Sequence, residues 1–183
     1  MTVAPDVRLE GELVRLRSRR EEDLALFVSW YNDPDVRHWL HMSEAGEQTV
    51  ETERQRWELT RQDPARVTFV IETKDGVTIG NVGLIAIDEV HRRAELGVSI
   101  GDKAYWSQGY GADAIRTLLR FAFETLDLRR IELITDADNA RGIRCYEKCG
   151  FVREGVLRAH RLRYGNPLDM LIMAVLSEES GLK

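Results

Sequence analysis

The feature that most restricts the fold is a change of hydrophobic period in the middle of the chain. Three β-rich segments follow one another, at residues 67–73, 77–87 and 93–100. Asp75-Gly76 separates the first two and favours a tight hairpin turn. These segments predict an antiparallel meander, after which the spacing becomes helical.

The helical spacing covers residues 109–126 and is followed by a β-rich segment at residues 130–135. The predicted buried stripe of the helix is Ala112, Ile115, Leu119, Ala122 and Phe123. A strand, a helix and a strand in this order form a crossover unit. We therefore expect the strand before Gly109 and the strand after Leu126 to be a parallel pair.

The flanking segments complete a mixed α/β pattern. We predict strands at 13–17, 151–153 and 168–176, and helices at 21–32, 35–42 (one short turn), 49–61 (capped by Thr49) and 139–149. Gly150 is the expected left-handed cap of the last helix. The prediction is an α/β (α+β) fold: a single domain over residues 1–183, with a mixed central sheet flanked by helices.

Composition and charge exclude several classes of protein. The net charge of −5 and the pI near 5.5 argue against a nucleic-acid partner, which requires a basic face. No apolar run approaches the roughly 18 to 20 residues of a membrane span. Residues 1–8 contain no apolar signal core. We expect a cytoplasmic protein without membrane contact.

The cysteines and histidines do not predict a metal site. Cys145 and Cys149 lack a second ligand pair, so we expect reduced, structural thiols. His38 and His41 lack a third ligand at suitable spacing, although a role in lining a substrate pocket stays open.

The segment Gln108-Gly109-Tyr110-Gly111-Ala112 lies where a strand leads into the predicted long helix. The first N–H groups of a helix have no internal partner and form an anion site suited to a pyrophosphate. No Lys-Ser/Thr follows the glycines, and GxGxxG is absent, so the segment is neither a Walker loop nor a Rossmann fingerprint. A lone Gly-X-Gly is commonly only a tight turn.

Two sequence motifs, one that includes this segment and one about thirty residues after it, resemble the signatures of a known family. Trp106-x-Gln-Gly-Tyr-Gly111 resembles the acetyl-CoA loop of GNAT N-acetyltransferases, Gln/Arg-x-x-Gly-x-Gly/Ala, with Trp106 at the first position as in the RimJ/RimL-like branch. Residues 139–151 resemble the second GNAT signature, Asn-x-x-(Ser/Ala)-x-x-x-Tyr-x-Lys-x-Gly-Phe, with Gly142 at the small-residue position. The resemblance extends from about Leu13 to Leu176.

The resemblance implies a GNAT fold that binds acetyl-CoA in a splay between two parallel strands, without a metal. It assigns the pantetheine arm to Val98, Ser99, Ile100 and Asn139. It assigns the pyrophosphate to Gln108, Gly109, Tyr110, Gly111 and Ala112, and it adds Arg144 to the cofactor-binding residues.

The resemblance also implies that Tyr146 is the general acid that protonates the departing thiolate. The alternative is a core tyrosine that shares a helix face with Ile143. Strand alternation makes Glu95 the candidate general base. For Glu95 the alternatives are a surface carboxylate paired with Arg92 or Arg93, or a water relay without a dedicated base.

The acceptor amine is less constrained. Residues 31–63 contain eight acidic residues and four arginines, which favours either steering of a cationic acceptor or a solvated helix face. Residues 91–95 resemble spermidine N-acetyltransferases, whereas residues 30–37 resemble amino-sugar and aminoglycoside acetyltransferases. Polyamine or small amine, protein N-terminus and amino sugar all stay open.

Two other classes of function also stay open: a non-catalytic acyl-CoA-binding sensor or scaffold module, and a nucleotide-binding α/β domain that uses the same helix N-terminus. Proteins that resemble this chain are often monomers or dimers, so the resemblance implies a monomer or homodimer.

Overall fold

A computed structural model describes residues 7–42 and 45–181. Its strands form one eight-stranded sheet in the order β1-β2-β3-β4-β5-β6-β8-β7. The strands are β1 (Leu9–Glu10), β2 (Val14–Arg17), β3 (Val67–Thr73), β4 (Thr78–Asp88), β5 (Arg93–Ile100), β6 (Arg130–Asp136), β7 (Val152–Arg163) and β8 (Asn166–Leu176).

Five α-helices flank this sheet in the described part of the chain. They are α1 (Leu24–Asn32), α2 (Pro34–Arg37), α3 (Val50–Arg61), α4 (Tyr110–Glu124) and α5 (Ala140–Lys148). Short 3₁₀ turns cover Glu21–Asp23 and Lys103–Tyr105. Among residues 7–42 and 45–181, no helix combines the length and apolar character that a membrane crossing requires.

The predicted meander is confirmed, because β3, β4 and β5 pair antiparallel in sequence order. Alternate residues of these strands, such as Ile71, Leu84 and Leu96, are buried in the main core. Helix α4 packs in the same core through Ile115 and Leu119, which have no exposed surface. The α4 stripe thus follows the expected spacing.

The N-terminal helices form a second, smaller core. Phe27 and Trp30 of α1 are buried together with Val36 and Val70. A Cβ atom at Gly101 would lie 2.1 Å from the Trp30 ring, so α1 can approach the end of β5 only because residue 101 has no side chain.

The predicted parallel pair is confirmed and is very short. Strand β5 pairs with β6 only where Arg93–Glu95 faces Arg130–Glu132. Beyond that point β6 continues to pair with β8 as far as Asp136, while β5 continues to pair with β4. The two strands therefore separate, and the sheet opens between residues 96–100 of β5 and 133–136 of β6.

The sequence prediction was wrong about the length of β7. A strand was expected at residues 151–153, and the structure has one from Val152 to Arg163. Most of its residues are exposed, because β7 lies at the edge of the sheet. An exposed edge strand shows no apolar alternation, which is the pattern on which the prediction depended.

Smaller differences concern the N-terminal elements. Strand β1 was not predicted; it pairs with β2 over two residues. The predicted helical turn at residues 35–42 is helical only over Pro34–Arg37, where the Asp33 side chain accepts from the Asp35 N–H at 2.9 Å. The predicted helix at 21–32 begins as a 3₁₀ turn.

A buried carboxylate joins the N-terminal strand to α4. Asp113, in the first turn of α4, accepts hydrogen bonds from the backbone N–H groups of Glu12, Leu13 and Val14 at 3.2, 2.8 and 3.0 Å. A Cβ atom at Gly11 would lie 2.5 Å from the same carboxylate. The chain therefore needs glycine at position 11 to pass this close to α4.

Candidate active site

The opening between β5 and β6 is the wall of the main cavity, whose volume is about 630 Å³. Helix α4 begins at one side of this cavity, and α5 lies along another. Its lining includes Glu95, Val98, Ser99, Ile100, Gly109, Gly111, Ala112, Asn139, Arg144 and Tyr146. The structure thus brings ten of the twelve predicted site residues together in one groove.

The edge of β5 gives this groove a row of backbone groups. From Leu96 onward β5 pairs only with β4, with Val98 opposite Val82 and Ser99 opposite Asn81. Within the described residues, no strand pairs with the other edge of β5 over residues 96–100. An extended ligand can add to such an edge by hydrogen bonds to the main chain.

The start of α4 supplies N–H groups at the end of that edge. Gly109 has φ of +95°, and its C=O accepts the first intrahelical bond, from the Asp113 N–H at 3.0 Å. The N–H groups of Tyr110, Gly111 and Ala112 precede that bond and have no partner inside the helix. Together with the helix dipole they form an anion site.

Gln108 and Tyr110 do not present their side chains to the groove. The Gln108 amide donates to the Ala104 carbonyl, and the Tyr110 ring packs edge-on against Tyr105 with centroids 5.2 Å apart. Neither residue lines the cavity. Of these two predicted residues, only the main chain is positioned to contact a ligand.

Asn139 begins α5 and its amide is held on both sides. Its Oδ1 accepts from the Gly142 N–H at 3.0 Å, and its Nδ2 donates to the Thr135 hydroxyl at 3.2 Å. A Cβ atom at residue 142 would lie 2.5 Å from Nδ2, which explains the glycine there. An amide nitrogen has two hydrogens, so one remains for a ligand.

Arg141 was missed by the sequence reasoning. Its guanidinium lies 3.8 Å from the centroid of the Trp106 ring, and both side chains line the groove. The Trp106 indole is fixed because its N–H donates to the Ile100 carbonyl at 2.7 Å. Burial lowers the pKa of Arg141, and no carboxylate of the described residues pairs with it. The family pattern has Gln or Arg at the position of Trp106. A tryptophan there could have indicated that a cation from another segment, here Arg141, lies against its ring.

Tyr146 projects from α5 into the same groove. Burial, and then the neighbouring Cys145, raise the pKa of Tyr146 to about 12, while a hydrogen bond with Thr135 acts in the opposite direction. The phenol is therefore protonated at neutral pH and available as a proton donor.

Glu95 lies on β5 at the last residue of the parallel pairing. Burial, and then Glu132, raise the pKa of Glu95, while His41 and Arg66 act in the opposite direction. Arg92 pairs with Asp127 instead, and Arg93 lies 3.6 Å from Asp88 and 3.7 Å from Glu132. The alternative of a Glu95 ion pair with Arg92 or Arg93 is wrong.

A second cavity of about 350 Å³ also has Glu95 in its wall. His41, His160 and Arg161 are its other titratable residues. His41 thus lines a pocket, whereas the His38 ring lies 3.1 Å from an Arg163 nitrogen instead.

Asp136 lies behind the second cavity and is only 1% exposed. It accepts two 2.7 Å bonds from Arg161 and one from Arg163, and His41 lies 3.4 Å away. Burial raises the pKa of Asp136, but the bonds to His41, Arg161 and Arg163 outweigh burial and hold the pKa well below its usual range.

The acidic residues of the N-terminal helical region that the structure describes do not line either cavity. Asp33 and Asp35 each pair with Lys103 at 2.8 Å, and the buried Glu53 pairs with Arg19 and Arg56. Glu44 lies outside the described residues. Steering of a cationic acceptor by this segment is therefore not supported, and its described acids belong to paired or solvated helix faces.

The two cysteines are free thiols, with Cys149 buried and Cys145 half-buried beside the groove. The hydrogen bond with Cys145 and burial raise the pKa of Cys149. Within the described part of the chain, no three His, Cys, Asp or Glu side chains are grouped so as to hold a metal ion.

A mixed sheet that opens beside a helix N-terminus, with a phenol and a carboxylate in the opening, defines an α/β acyltransferase. The chain belongs to the acetyltransferase (GNAT) domain family, whose model matches residues 14–152.

Individual relatives agree with this assignment. The chain is 34% identical over 145 residues to a spermidine N(1)-acetyltransferase of Escherichia coli (strain K12), covering 79% of this chain and 75% of that protein. It is 30% identical to the uncharacterized N-acetyltransferase YoaA of Bacillus subtilis, covering 92% and 96%. It is also similar to the crystal structure of spermidine N-acetyltransferase from Vibrio cholerae in complex with CoA and spermine. The TM-score is 0.84 at 26% identity, covering 93% of this chain and 99% of that one.

Proposed function

We propose that this protein transfers the acetyl group of acetyl-CoA to a primary amine. The observation that supports this most directly is the unpaired β5 edge, which leads to the N–H groups at the start of α4. A pantetheine arm fits an extended edge, and a pyrophosphate fits a helix N-terminus.

The charge of the groove also fits this co-substrate. Arg141, Arg144 and Lys148 line the α5 side of the cavity, and none of the described acidic residues lines that side. Three cations beside a helix N-terminus suit a ligand with several phosphates.

Acetyl-CoA supplies the acetyl group and a thiolate leaving group. In the proposed mechanism Glu95 accepts a proton from the attacking amine, because its raised pKa makes the carboxylate a stronger base. As the N–C bond forms and the C–S bond breaks, Tyr146 donates its proton to the sulfur. The proton on Glu95 later returns through solvent to restore the phenol. Val98, Ser99 and Ile100 orient the pantetheine arm, and Asn139 bonds it through its free amide hydrogen.

Other assignments from the sequence are proposed on narrower grounds. Trp106 at the first loop position supports the RimJ/RimL-like branch. One sheet connecting Leu9 to Leu176 supports a single domain over residues 1–183. A cytoplasmic location and a monomer or homodimer stay predictions.

The first test is thermal unfolding with and without acetyl-CoA. A ligand that binds only the folded state at 100 times its Kd adds about 2.7 kcal/mol to the free energy of unfolding. We expect a rise in Tm with acetyl-CoA and a smaller one with ATP or NAD. No shift at millimolar acetyl-CoA would contradict the proposal, and a larger shift with ATP would support a nucleotide-binding domain.

A matched variant separates loss of binding from loss of folding. A Cβ atom at Gly111 has only ordinary contacts, at 3.7 and 3.8 Å, and an acidic residue in the first helical turn is favourable. Gly111→Asp should therefore fold, repel the phosphates and lose the shift, whereas Gly111→Ala should keep most of it. Thiol release with amines then tests catalysis; binding without release from any amine would support the non-catalytic module.

A further inference from the structure

The acceptor end of the groove is defined here as the region where the two cavities meet at Glu95, with His41, Arg66, His160 and Arg161 around it. Glu95 lines both cavities, Arg66 lines the main one, and His160 and Arg161 line the second. Among the described residues, Glu95 is the only carboxylate in the lining of either cavity.

The other described carboxylates near this region lie outside the lining of both cavities; Glu132, whose side chain is 29% exposed, pairs with Arg130 at 2.9 Å. The side chain of Asp136 is 1% exposed and lies behind Arg161, and that of Glu53 is 1% exposed and lies behind Arg19 and Arg56. What these ion pairs present to the cavities is therefore the arginine and not the acid.

Of the arginines that line the cavities at this end, Arg66 has the longest ion-pair distance. Its Nε is buried without a hydrogen-bond partner, and its nearest carboxylate, that of Asp63, is 3.8 Å away. A guanidinium has five N–H donors in a planar fork that matches a carboxylate or a phosphate. Arg66 also lies close enough to Glu95 to influence its titration.

This arrangement is a poor receptor for a polycation. A polyamine retains one or more ammonium groups besides the reacting nitrogen, and each needs an accessible oxygen partner. Glu95 is already engaged by the reacting amine, and the rest of the charged lining is basic. The acceptor end therefore differs from what the names of the spermidine-acetylating relatives suggest.

We propose that the acceptor is a small primary amine that also has an oxyanion, and that Arg66 binds this oxyanion while Glu95 receives the amine. An amino acid and a phosphorylated amino sugar share this chemistry. This inference rests on the proposed function and specifies its second substrate.

The test is thiol release from acetyl-CoA by the unmodified protein with matched acceptors. L-amino acids are each compared with their amides, glucosamine with glucosamine 6-phosphate, and all of these with spermidine. We expect at least one anionic acceptor to exceed its neutral partner at least tenfold in kcat/KM. The amino acid and sugar phosphate arms distinguish a carboxylate from a phosphate.

The outcomes separate this inference from the proposed function. Release that is fastest with spermidine, or that is equal for every anionic acceptor and its neutral partner in both arms, overturns the oxyanion site and leaves the acetyltransferase intact. Silence of every anionic acceptor also overturns it. The proposed function itself is removed by a different result: no thermal shift with acetyl-CoA, or a shift without thiol release from any acceptor, spermidine included.

A variant locates the site. Arg66→Gln should raise KM for the anionic acceptor about tenfold, the effect expected for loss of one charge-assisted bond. The KM for acetyl-CoA should not change, and Arg66→Lys should restore part of the preference. Arg120→Gln removes the same charge from an exposed position on α4 outside both cavities and serves as the control. If Arg66→Gln keeps the full preference for the anionic acceptor, Arg66 is not the binding residue.

Discussion

The two halves of the groove are built in different ways. The cofactor half, residues 98–112 and 139–148, consists of two continuous segments and depends mainly on main-chain groups. The acceptor half gathers Glu95, His41, Arg66, His160 and Arg161 from separate segments and depends on side chains. A site made of main-chain groups can be predicted from the spacing of glycines in one segment. A site made of side chains from distant segments forms only when those segments pack together.

The halves also differ in how their charges are satisfied. Arg141 in the cofactor half has an aromatic ring beneath it and pairs with no carboxylate of residues 7–42 and 45–181. Arg161 in the acceptor half is held by the buried Asp136. A phosphate ligand would therefore meet a cation without a carboxylate partner among the described residues, and an acceptor would meet arginines that are paired, of which Arg66 has the longest ion-pair distance, 3.8 Å to Asp63.

The largest expected effect concerns Tyr146, which we propose to serve both halves. Tyr146→Phe should lower kcat about 10²- to 10⁴-fold with every acceptor, the range for loss of a general acid, and leave KM for acetyl-CoA unchanged. The pKa of about 12 means that no loss of rate from Tyr146 ionisation is expected near neutral pH. Steady-state kinetics beside the exposed Tyr164→Phe control test this, and an unchanged kcat would refute the acid role.

The next effect is specific to the acceptor half. Glu95→Gln should lower kcat/KM about 100-fold at pH 7, because it removes a general base. The raised pKa of Glu95 means that the carboxylate, which is the active form, is lost as pH falls through a value above the ordinary one for glutamate. The pH profile of kcat/KM should show this acid limb in the unmodified protein and not in the variant.

Stability provides the control for that variant. A carboxyl group whose pKa is raised by folding destabilises the folded state at pH above both pKa values, where it is charged. Glu95→Gln should therefore not lower Tm at pH 7. If the acid limb of the kcat/KM pH profile persists in Glu95→Gln, the general base is another group or water.

The smallest of the three effects is specific to the cofactor half. Arg141→Gln should raise KM for acetyl-CoA about tenfold, as expected for loss of one charge-assisted bond to a phosphate, and leave KM for the acceptor unchanged. The effect should disappear with acetyl-pantetheine, which has no phosphate groups. An equal rise with both donors would mean that Arg141 only supports the packing of Trp106.

The difference between the cofactor half and the acceptor half also explains which features could be predicted from the sequence. The meander, the start of α4 and the helix that positions Tyr146 depend on local periodicity and on two motifs, and the structure has all of them. The pattern assigned Gln108 and Tyr110 to the loop without giving the direction of their side chains, which the structure turns away from the groove. Gly142 departs from the family pattern, yet it fits because the Asn139 amide occupies the space of its Cβ.

The remaining features required tertiary structure. Strand β7 is an exposed edge without alternation, so its length is decided by pairing with β8. The acids of residues 31–63 appear as a surplus in the sequence, but in the structure those that are described point to arginines, Lys103 or solvent. Arg66 and Arg161 are unremarkable in sequence, and only packing places them beside Glu95.

The Asp113 contact with residues 12–14 has a consequence for the order of assembly. These partners are about one hundred residues apart along the chain, and contacts of such separation slow folding. The first turn of α4, whose N–H groups we propose to bind an anion, is also the turn that docks the segment leading into β2. In a molecule in which that segment has not docked, the three backbone N–H groups and the Asp113 carboxylate are exposed to water, and the start of α4 lacks the contact that holds it. We therefore expect chains that have not closed this loop of about one hundred residues to bind the proposed co-substrate weakly, so that the amount of ligand bound tightly counts the molecules in which the loop has closed and not the total protein.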